Sequence, residues 1–299
     1  MTLQTAAAQG AELLAASGTP EPRLTAELLL CHAVHCERTY LYAHPEQELR
    51  EVEWIHYGRW LHERMNGKPL QYITRTQEFY GRPFRVSPSV LIPRPETEIL
   101  VETVLKRRPD ARSIVDVGAG SGAIAITLAL ETRARVAATD ISLPALQVAA
   151  SNAAMLEAQV DFIAADLLSV IADASVDAVV SNSPYVAAGD RDSLQREVRD
   201  WEPHIALFAG ETGLDIYRRL IPEAARVLRP GGLLAFEFGF NQADAVKELA
   251  AGWDGVELTP DLAGIPRVLS CERRPDPKYS GESAPAGKPA AGPKPHPTT

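Results

Sequence analysis

The chain has 299 residues, 45% hydrophobic and 23% charged, which is the balance of a folded globular protein long enough for two domains. A formal net charge of -9 argues against a grip on nucleic acid, which needs clustered Lys and Arg against the phosphates. Three unpaired cysteines, the absence of a basic-then-apolar leader in Met1 to Gly10, and no apolar run near the roughly 20 residues of a membrane helix predict a cytoplasmic protein without membrane contact.

Residues 1–70 read as a small helical bundle. Leu13 and Leu14, then Leu24, Leu28 and Leu29, recur at helical spacing, with Pro20 and Pro22 breaking the chain between two helices. A third helix is predicted from Glu46 to Met65, with Val52, Ile55, Trp60 and Leu61 as its apolar stripe and Asn66-Gly67 as its end. Residues 71–94 form a linker in which β-branched and aromatic residues around Gly81 predict a hairpin. In Pro93-Arg94-Pro95-Glu96-Thr97-Glu98 a proline near the first turn and early acids mark a helix start. From 95 to 274 strands alternate with helices: strands begin at Ser113, Arg135, Val160, Val176 and Leu233, with further candidates near Val256 and Val268. Helices begin at Ala123, Pro144, Leu214 and Gln242. Such alternation implies a doubly wound, mostly parallel sheet. Residues 275–299 hold seven of the 23 prolines, and their composition predicts a disordered tail.

Two constellations carry chemistry. The first is Val115-Asp116-Val117-Gly118-Ala119-Gly120-Ser121-Gly122, where the first strand of the sheet turns into a helix. Glycines there let the backbone approach a ligand, although a tight turn alone would use them too. The spacing differs from the G-x-G-x-x-G of dinucleotide sites, and Asp140 ends the second strand, where a carboxylate accepts ribose hydroxyls and repels a phosphate. A solvated strand-end acid is the plainer reading of Asp140 by itself. Asp116 either orients the loop or meets a cofactor's ammonium. Together these features resemble the class I S-adenosylmethionine-dependent methyltransferases. That resemblance implies S-adenosyl-L-methionine as cofactor, cradled by Gly118, Ala119, Gly120, Ser121 and Gly122, with Asp140 on the ribose.

The second constellation is Asn182-Ser183-Pro184-Tyr185, after the fourth strand. These are also turn formers, so a turn is the plain alternative. Beside a methyl donor the loop has a chemical use. An amide nitrogen is a poor nucleophile, so it must be held in line with the methyl while positive charge develops. The Asn182 side-chain oxygen and a main-chain carbonyl supply two N–H acceptors, and the Tyr185 ring offers a face to a planar group. No strong base is needed, because an N-methylated nitrogen sheds its extra proton readily.

Further motifs surround this loop: Lys68-Pro-Leu-Gln-Tyr-Ile-Thr, Glu78-Phe-Tyr-Gly, Val90-Leu-Ile-Pro-Arg-Pro-Glu-Thr-Glu, Trp201-Glu-Pro-His-Ile-Ala-Leu and Gly213-Leu-Asp-Ile-Tyr. In this order they resemble the release factor glutamine N5-methyltransferases (HemK/PrmC) over most of residues 20 to 273. The resemblance implies a Rossmann-like, doubly wound, seven-stranded α/β domain with an N-terminal helical bundle and a hairpin linker. It implies methylation of the glutamine in the Gly-Gly-Gln motif of class I peptide chain release factors, which the bundle helps to bind. It further assigns Asp166 and Leu167 to the adenine and Asn182 to both cofactor and substrate, and a monomer is expected. An adenine-N6 methyltransferase would use the same grip, but the first 80 residues carry ten acidic against seven basic side chains, leaving no obvious basic groove. A binding module with weakened catalysis is the rival of another kind. Ser183 stands where the family has proline, which removes a fixed φ and predicts a looser loop; Leu167 stands where the family often has an aromatic residue. Arg94 is placed near the cofactor. Cys31, His32, His35 and Cys36 fan over about 140° of one helix, too wide to converge on one ion, so no metal is expected.

Overall fold

The computed structural model describes residues 1–275; the remainder of the stretch expected to be disordered lies outside the described residues. Five helices open the chain: α1 (Leu3–Ala16), α2 (Pro22–Val34), α3 (Arg38–Ala43), α4 (Glu51–Met65) and α5 (Leu70–Thr74). The Thr2 hydroxyl caps α1 by accepting from the Thr5 N–H, and Pro22 sits in the first turn of α2, where its missing N–H costs nothing. Leu3, Leu14, Leu29, Leu30, Tyr57 and Leu61 form the shared core, each contributing about 1.5–3 kcal/mol of apolar burial. Gly10 makes the central contact possible. A Cβ there would lie 2.0 Å from the Tyr57 hydroxyl, which donates to the Ala6 carbonyl at 3.2 Å.

Three expectations for this region need correction. The predicted third helix starts later, as α4 at Glu51, and the short α3 ahead of it was not predicted. On α4 the inward positions are Glu53, Tyr57, Leu61 and Arg64, whereas Val52 and Ile55 are exposed. The polar pair can face inward because each has partners: Glu53 takes the Arg50 N–H at 2.8 Å, and Arg64 reaches the Lys68 carbonyl at 3.1 Å and Glu197 at 2.8 Å. Helix α2 ends at Val34, with His35 in the left-handed region, so Cys36 lies beyond the helix on which it was placed. Among the described residues no cluster of three or more His, Cys, Asp or Glu is placed to hold a metal.

The linker begins with α5, so Gln71 to Thr74 are helical, and continues as the hairpin β1 (Thr76–Phe79) and β2 (Arg82–Arg85). Tyr80 and Gly81 both take positive φ, as a two-residue hairpin turn requires. Then follow α6 (Glu96–Arg107), β3 (Ser113–Val117), α7 (Ala123–Glu131), β4 (Arg135–Asp140), α8 (Leu143–Met155), β5 (Val160–Ala164), β6 (Val176–Ser181) and α9 (Arg196–Trp201). The chain continues through α10 (Asp215–Val227), β7 (Leu228–Glu237), α11 (Ala243–Leu249), β8 (Asp254–Pro260) and β9 (Pro266–Glu272). Among the described residues seven strands make one sheet in the order β5-β4-β3-β6-β7-β9-β8, with only β9 running against its neighbours. Strand order reverses between β3 and β6, opening the crevice where such sheets bind ligands.

Side-chain alternation divides the core. On β3, Ile114 packs in the layer of α6 and α7, while Val115 and Val117 face α10. On β7, Leu233 and Ala235 join the first layer, and Leu234 and Phe236 the second. The period of two therefore turns Glu237 toward the α6 side. Register then aligns the strand ends: Val117 pairs with Ser181, and Ser181 with Phe236. Gly118, Asn182 and Glu237 thus leave the same edge side by side. No helix among the described residues is long and apolar enough to cross a membrane.

Candidate active site

A cleft opens at that edge. Its wall includes Gly118, Ala119, Gly120 and Ser121, then Asp140, Asp166 and Leu167, and Asn182, Ser183 and Pro184. The structure therefore brings together ten of the twelve singled-out residues. Gly122 and Tyr185 stand behind the wall.

Gly118, Gly120 and Gly122 all have positive φ, which turns the chain from β3 into α7. At Gly122 the space is tight as well, because a Cβ would lie 2.7 Å from the Ile126 side chain. Asp140 is already oriented by main-chain donors: Gly120 N–H reaches one oxygen at 2.9 Å and Ser142 N–H the other at 2.8 Å. The unused lone pairs of this carboxylate suit a ribose diol. Asp116 plays the loop-orienting part. It is fully buried, accepts from Ala125 N–H in the first turn of α7 at 3.2 Å, and leaves its second oxygen without a partner among the described residues. Burial, only partly offset by that N–H, pushes its carboxyl up to about 8. Asn152 of α8 ties the same loop to the hairpin, donating to Ser121 O at 2.8 Å and Arg85 O at 3.0 Å. At the rim, Asp166 meets Arg219 of α10 at 2.6 Å across a half-exposed pair, and Leu167 is held at a φ of 47°. Arg219 also lines the cleft and carried no signal in the sequence beyond a helix position.

The Asn182 loop is held by side chains. Asn182 Nδ2 donates to Thr97 Oγ1 at 2.9 Å, and that hydroxyl donates to Glu237 Oε2 at 2.6 Å. The Tyr185 hydroxyl donates to the other Glu237 oxygen at 3.2 Å. Gln242 steadies the end of the loop, donating to the Tyr185 carbonyl at 2.9 Å. The close approach of Gly213 admits this bond, since a Cβ there would sit 2.3 Å from the same carbonyl. Burial raises the Glu237 carboxyl, with the Thr97 and Tyr185 hydroxyls opposing, and burial raises the Tyr185 phenol beside Glu237.

Ser183 departs from the looseness expected of it. Its side chain is buried and lies 2.5 Å from Ser181 Oγ, which donates to the Val117 carbonyl at 2.8 Å. A hydroxyl relay to β3 thus anchors the residue that proline would have stiffened. Arg94 is also corrected. It pairs with buried Glu202, which also accepts from Ile92 N–H at 3.2 Å, and is absent from the cleft wall. The charge of Glu202 captures it; from that motif Pro93 and Thr97 reach the wall instead. Thr97 and Glu237 were missed as site residues. One signal was available for the second, a lone carboxylate inside the apolar run Leu233 to Phe238.

A mostly parallel sheet with this strand order, this glycine turn and an acid ending β4 define a class I S-adenosylmethionine-dependent methyltransferase. A family model for the PrmC N-terminal domain matches residues 5–74, and one for the methyltransferase small domain matches residues 95–198. The release factor glutamine methyltransferase of Koribacter versatilis is 50% identical over 273 residues, covering 90% of this chain and 98% of that one. The protein of the same description from Moorella thermoacetica is 44% identical over 282 residues, covering 92% and 99%. The chain belongs to the release factor glutamine methyltransferase family. The 16S rRNA N2 G1207 methyltransferase of T. Thermophilus, solved with AdoMet and guanosine, shares the fold at a TM-score of 0.51 and 19% identity, covering 67% of this chain and 50% of that one.

Proposed function

We propose that the protein transfers a methyl group from S-adenosyl-L-methionine to the side-chain N5 of the glutamine in the Gly-Gly-Gln motif of class I peptide chain release factors. The observation that carries this reading is the Asn182 amide. With Nδ2 committed to Thr97, its Oδ1 remains as the acceptor beside the glycine loop.

When bound, the cofactor supplies an electrophilic methyl group on a sulfonium centre. Gly118 to Gly122 would cradle its methionine part, Asp140 the ribose, and Asp166 and Leu167 the adenine. The donor set fits: an oriented carboxylate meets a diol, and positive-φ glycines leave room for close approach. Asn182 Oδ1 and the Ser183 carbonyl accept the two N–H groups of the target amide, which directs its lone pair at the methyl group. Tyr185 stands behind this grip, its hydroxyl fixed by Glu237, and backs the loop that presents Asn182 and the Ser183 carbonyl. As the nitrogen becomes cationic, the two oxygens stabilise the charge and its proton leaves to water.

The helical bundle, taken as residues 1–70, binds the release factor. Its exposed Val52 and Ile55 on α4 are apolar surface of the kind a partner covers.

The test is incubation with labelled cofactor and an unmethylated release factor, with DNA and RNA in parallel, followed by peptide mass spectrometry. Label on the Gly-Gly-Gln glutamine is expected. An unlabelled glutamine with label on nucleic acid would overturn the assignment.

A further inference from the structure

We infer that Glu237 is a positioning residue that sets which way the Asn182 amide faces, through Thr97, and that it does so only while ionised. The inference rests on the proposed grip of Asn182 on an amide substrate.

Hydrogen-bond polarity carries the argument. An ionised carboxylate has no proton to give, so both hydroxyls that reach Glu237 must donate to it. Thr97 has one hydroxyl hydrogen, and Glu237 takes it. The Thr97 oxygen is then purely an acceptor toward Asn182 and selects the NH2 end of that amide. Asn182 Oδ1 is thereby turned to the cleft, where a substrate N–H must find an acceptor. Protonation of Glu237 reverses the chain. The acid donates to Thr97, Thr97 donates to Asn182, and the oxygen end of the amide is drawn inward. The NH2 end then faces the NH2 of the substrate, and the grip is lost. Two amide ends of nearly equal shape are thus told apart by one buried charge.

The setting supports this charge as a device. Glu237 is buried at the end of β7 on the side covered by α6, and no cation lies within ion-pair distance of it among the described residues. The groups that face it are Glu96 and Thr97 from α6, Tyr185 from the Asn182 loop, and Arg267 from β9. From α10, the Tyr217 hydroxyl donates to its main-chain carbonyl at 2.8 Å. Burial, with Glu96 adding repulsion and Arg267 opposing, lifts the carboxyl above its ordinary range, so protonation is reached at less acidic pH than for a surface Glu. The acid limb of the transfer rate follows this group.

Three variants test the relay in the full-length protein. Glu237→Gln stands in for the protonated acid: its oxygen accepts from Tyr185 and its NH2 donates to Thr97, so that Thr97 donates to Asn182. Thr97→Val removes the middle of the relay, and Thr97→Ser restores its hydroxyl. Glu237→Gln and Thr97→Val are each expected to lower kcat about 10²-fold, the loss typical of a misplaced reacting group. KM for the release factor and the calorimetric Kd for S-adenosylmethionine stay within about threefold, because neither residue is assigned to binding. Thr97→Ser recovers most of what Thr97→Val loses, and the acid limb of the wild-type kcat profile disappears in Glu237→Gln. A Glu237→Gln protein with kcat within about threefold of wild type, or with its acid limb intact, overturns the inference. If Glu237→Gln does not fold, the Thr97→Val and Thr97→Ser pair decides: equal activities overturn the relay. A wild-type protein that methylates no release factor glutamine is a different failure, since it refutes the proposed substrate.

Discussion

The two loops that meet in the cleft are built in opposite ways. Gly118 to Gly122 is held by its own neighbourhood: positive-φ glycines make the turn, and Asp140, twenty residues from Gly120, takes its N–H. Asn182 to Tyr185 is held from far away, by Thr97, Glu237 and Gln242, with 140 residues between the first two. On the proposed reading the first loop receives a cofactor of fixed structure, and so needs a shape that main-chain groups can make. The second must present one end of an amide and reject the other, which only side chains of defined hydrogen-bond polarity can enforce.

The two loops differ most at Asn182. Asn182→Ala should lower transfer about 10³-fold, as removal of a single transition-state hydrogen-bonding group does, with the cofactor Kd little changed. Rate measured at saturating release factor checks this, and a loss confined to cofactor binding would place Asn182 in the first loop's function instead. Asp140→Ala should do the reverse, weakening S-adenosylmethionine about 10²-fold by calorimetry through lost charge-assisted hydrogen bonds. Residual turnover at saturating cofactor should be much less affected.

Smaller effects sharpen the contrast. Ser183→Ala removes the anchor to Ser181 and should cost about three- to tenfold in kcat, the worth of one hydrogen bond. Ser183→Pro should do better than Ser183→Ala, because the ring replaces the relay by fixing φ. Equal activities in the two variants would show that the relay contributes nothing.

A further effect is on stability, not rate, and concerns Asp116. Its carboxyl is raised from 3.8 in the unfolded chain to about 8 in the fold. The sign follows from linkage: its contribution is fully present below the unfolded value and is lost as pH rises through the folded one. Cofactor-free Asp116→Asn should therefore gain on wild type as pH rises from about 4 to about 8, by about 1–3 kcal/mol at the upper end in denaturant unfolding. A pH-independent difference would show that the buried oxygen carries no ionisation penalty.

Secondary structure in the sheet domain was legible because its signals are short-range. The strand from Val176 to Ser181 is an unbroken apolar run bounded by turn formers, and α7 begins where the glycines end. In the bundle the same reasoning misplaced α4's buried face. Val52 and Ile55 match helical spacing as well as Tyr57 and Leu61 do, and only partners from other segments allow Glu53 and Arg64 inside.

The sequence alone determined the alternation of strands and helices, the glycine turn with its strand-end acid, and the Asn182 loop after its strand. Each depends on residues close together in the chain, where backbone conformation and side-chain period act directly. Tertiary structure decided which end of the Asn182 amide faces the cleft, that Ser183 is anchored, and that Arg94 belongs to Glu202 while Thr97 belongs to the site. Those outcomes depend on register: parallel pairing sets Asn182 beside Glu237, and the alternation of β7 turns that carboxylate toward α6. Spacing along the chain carries no information about which distant partner will complete a hydrogen bond.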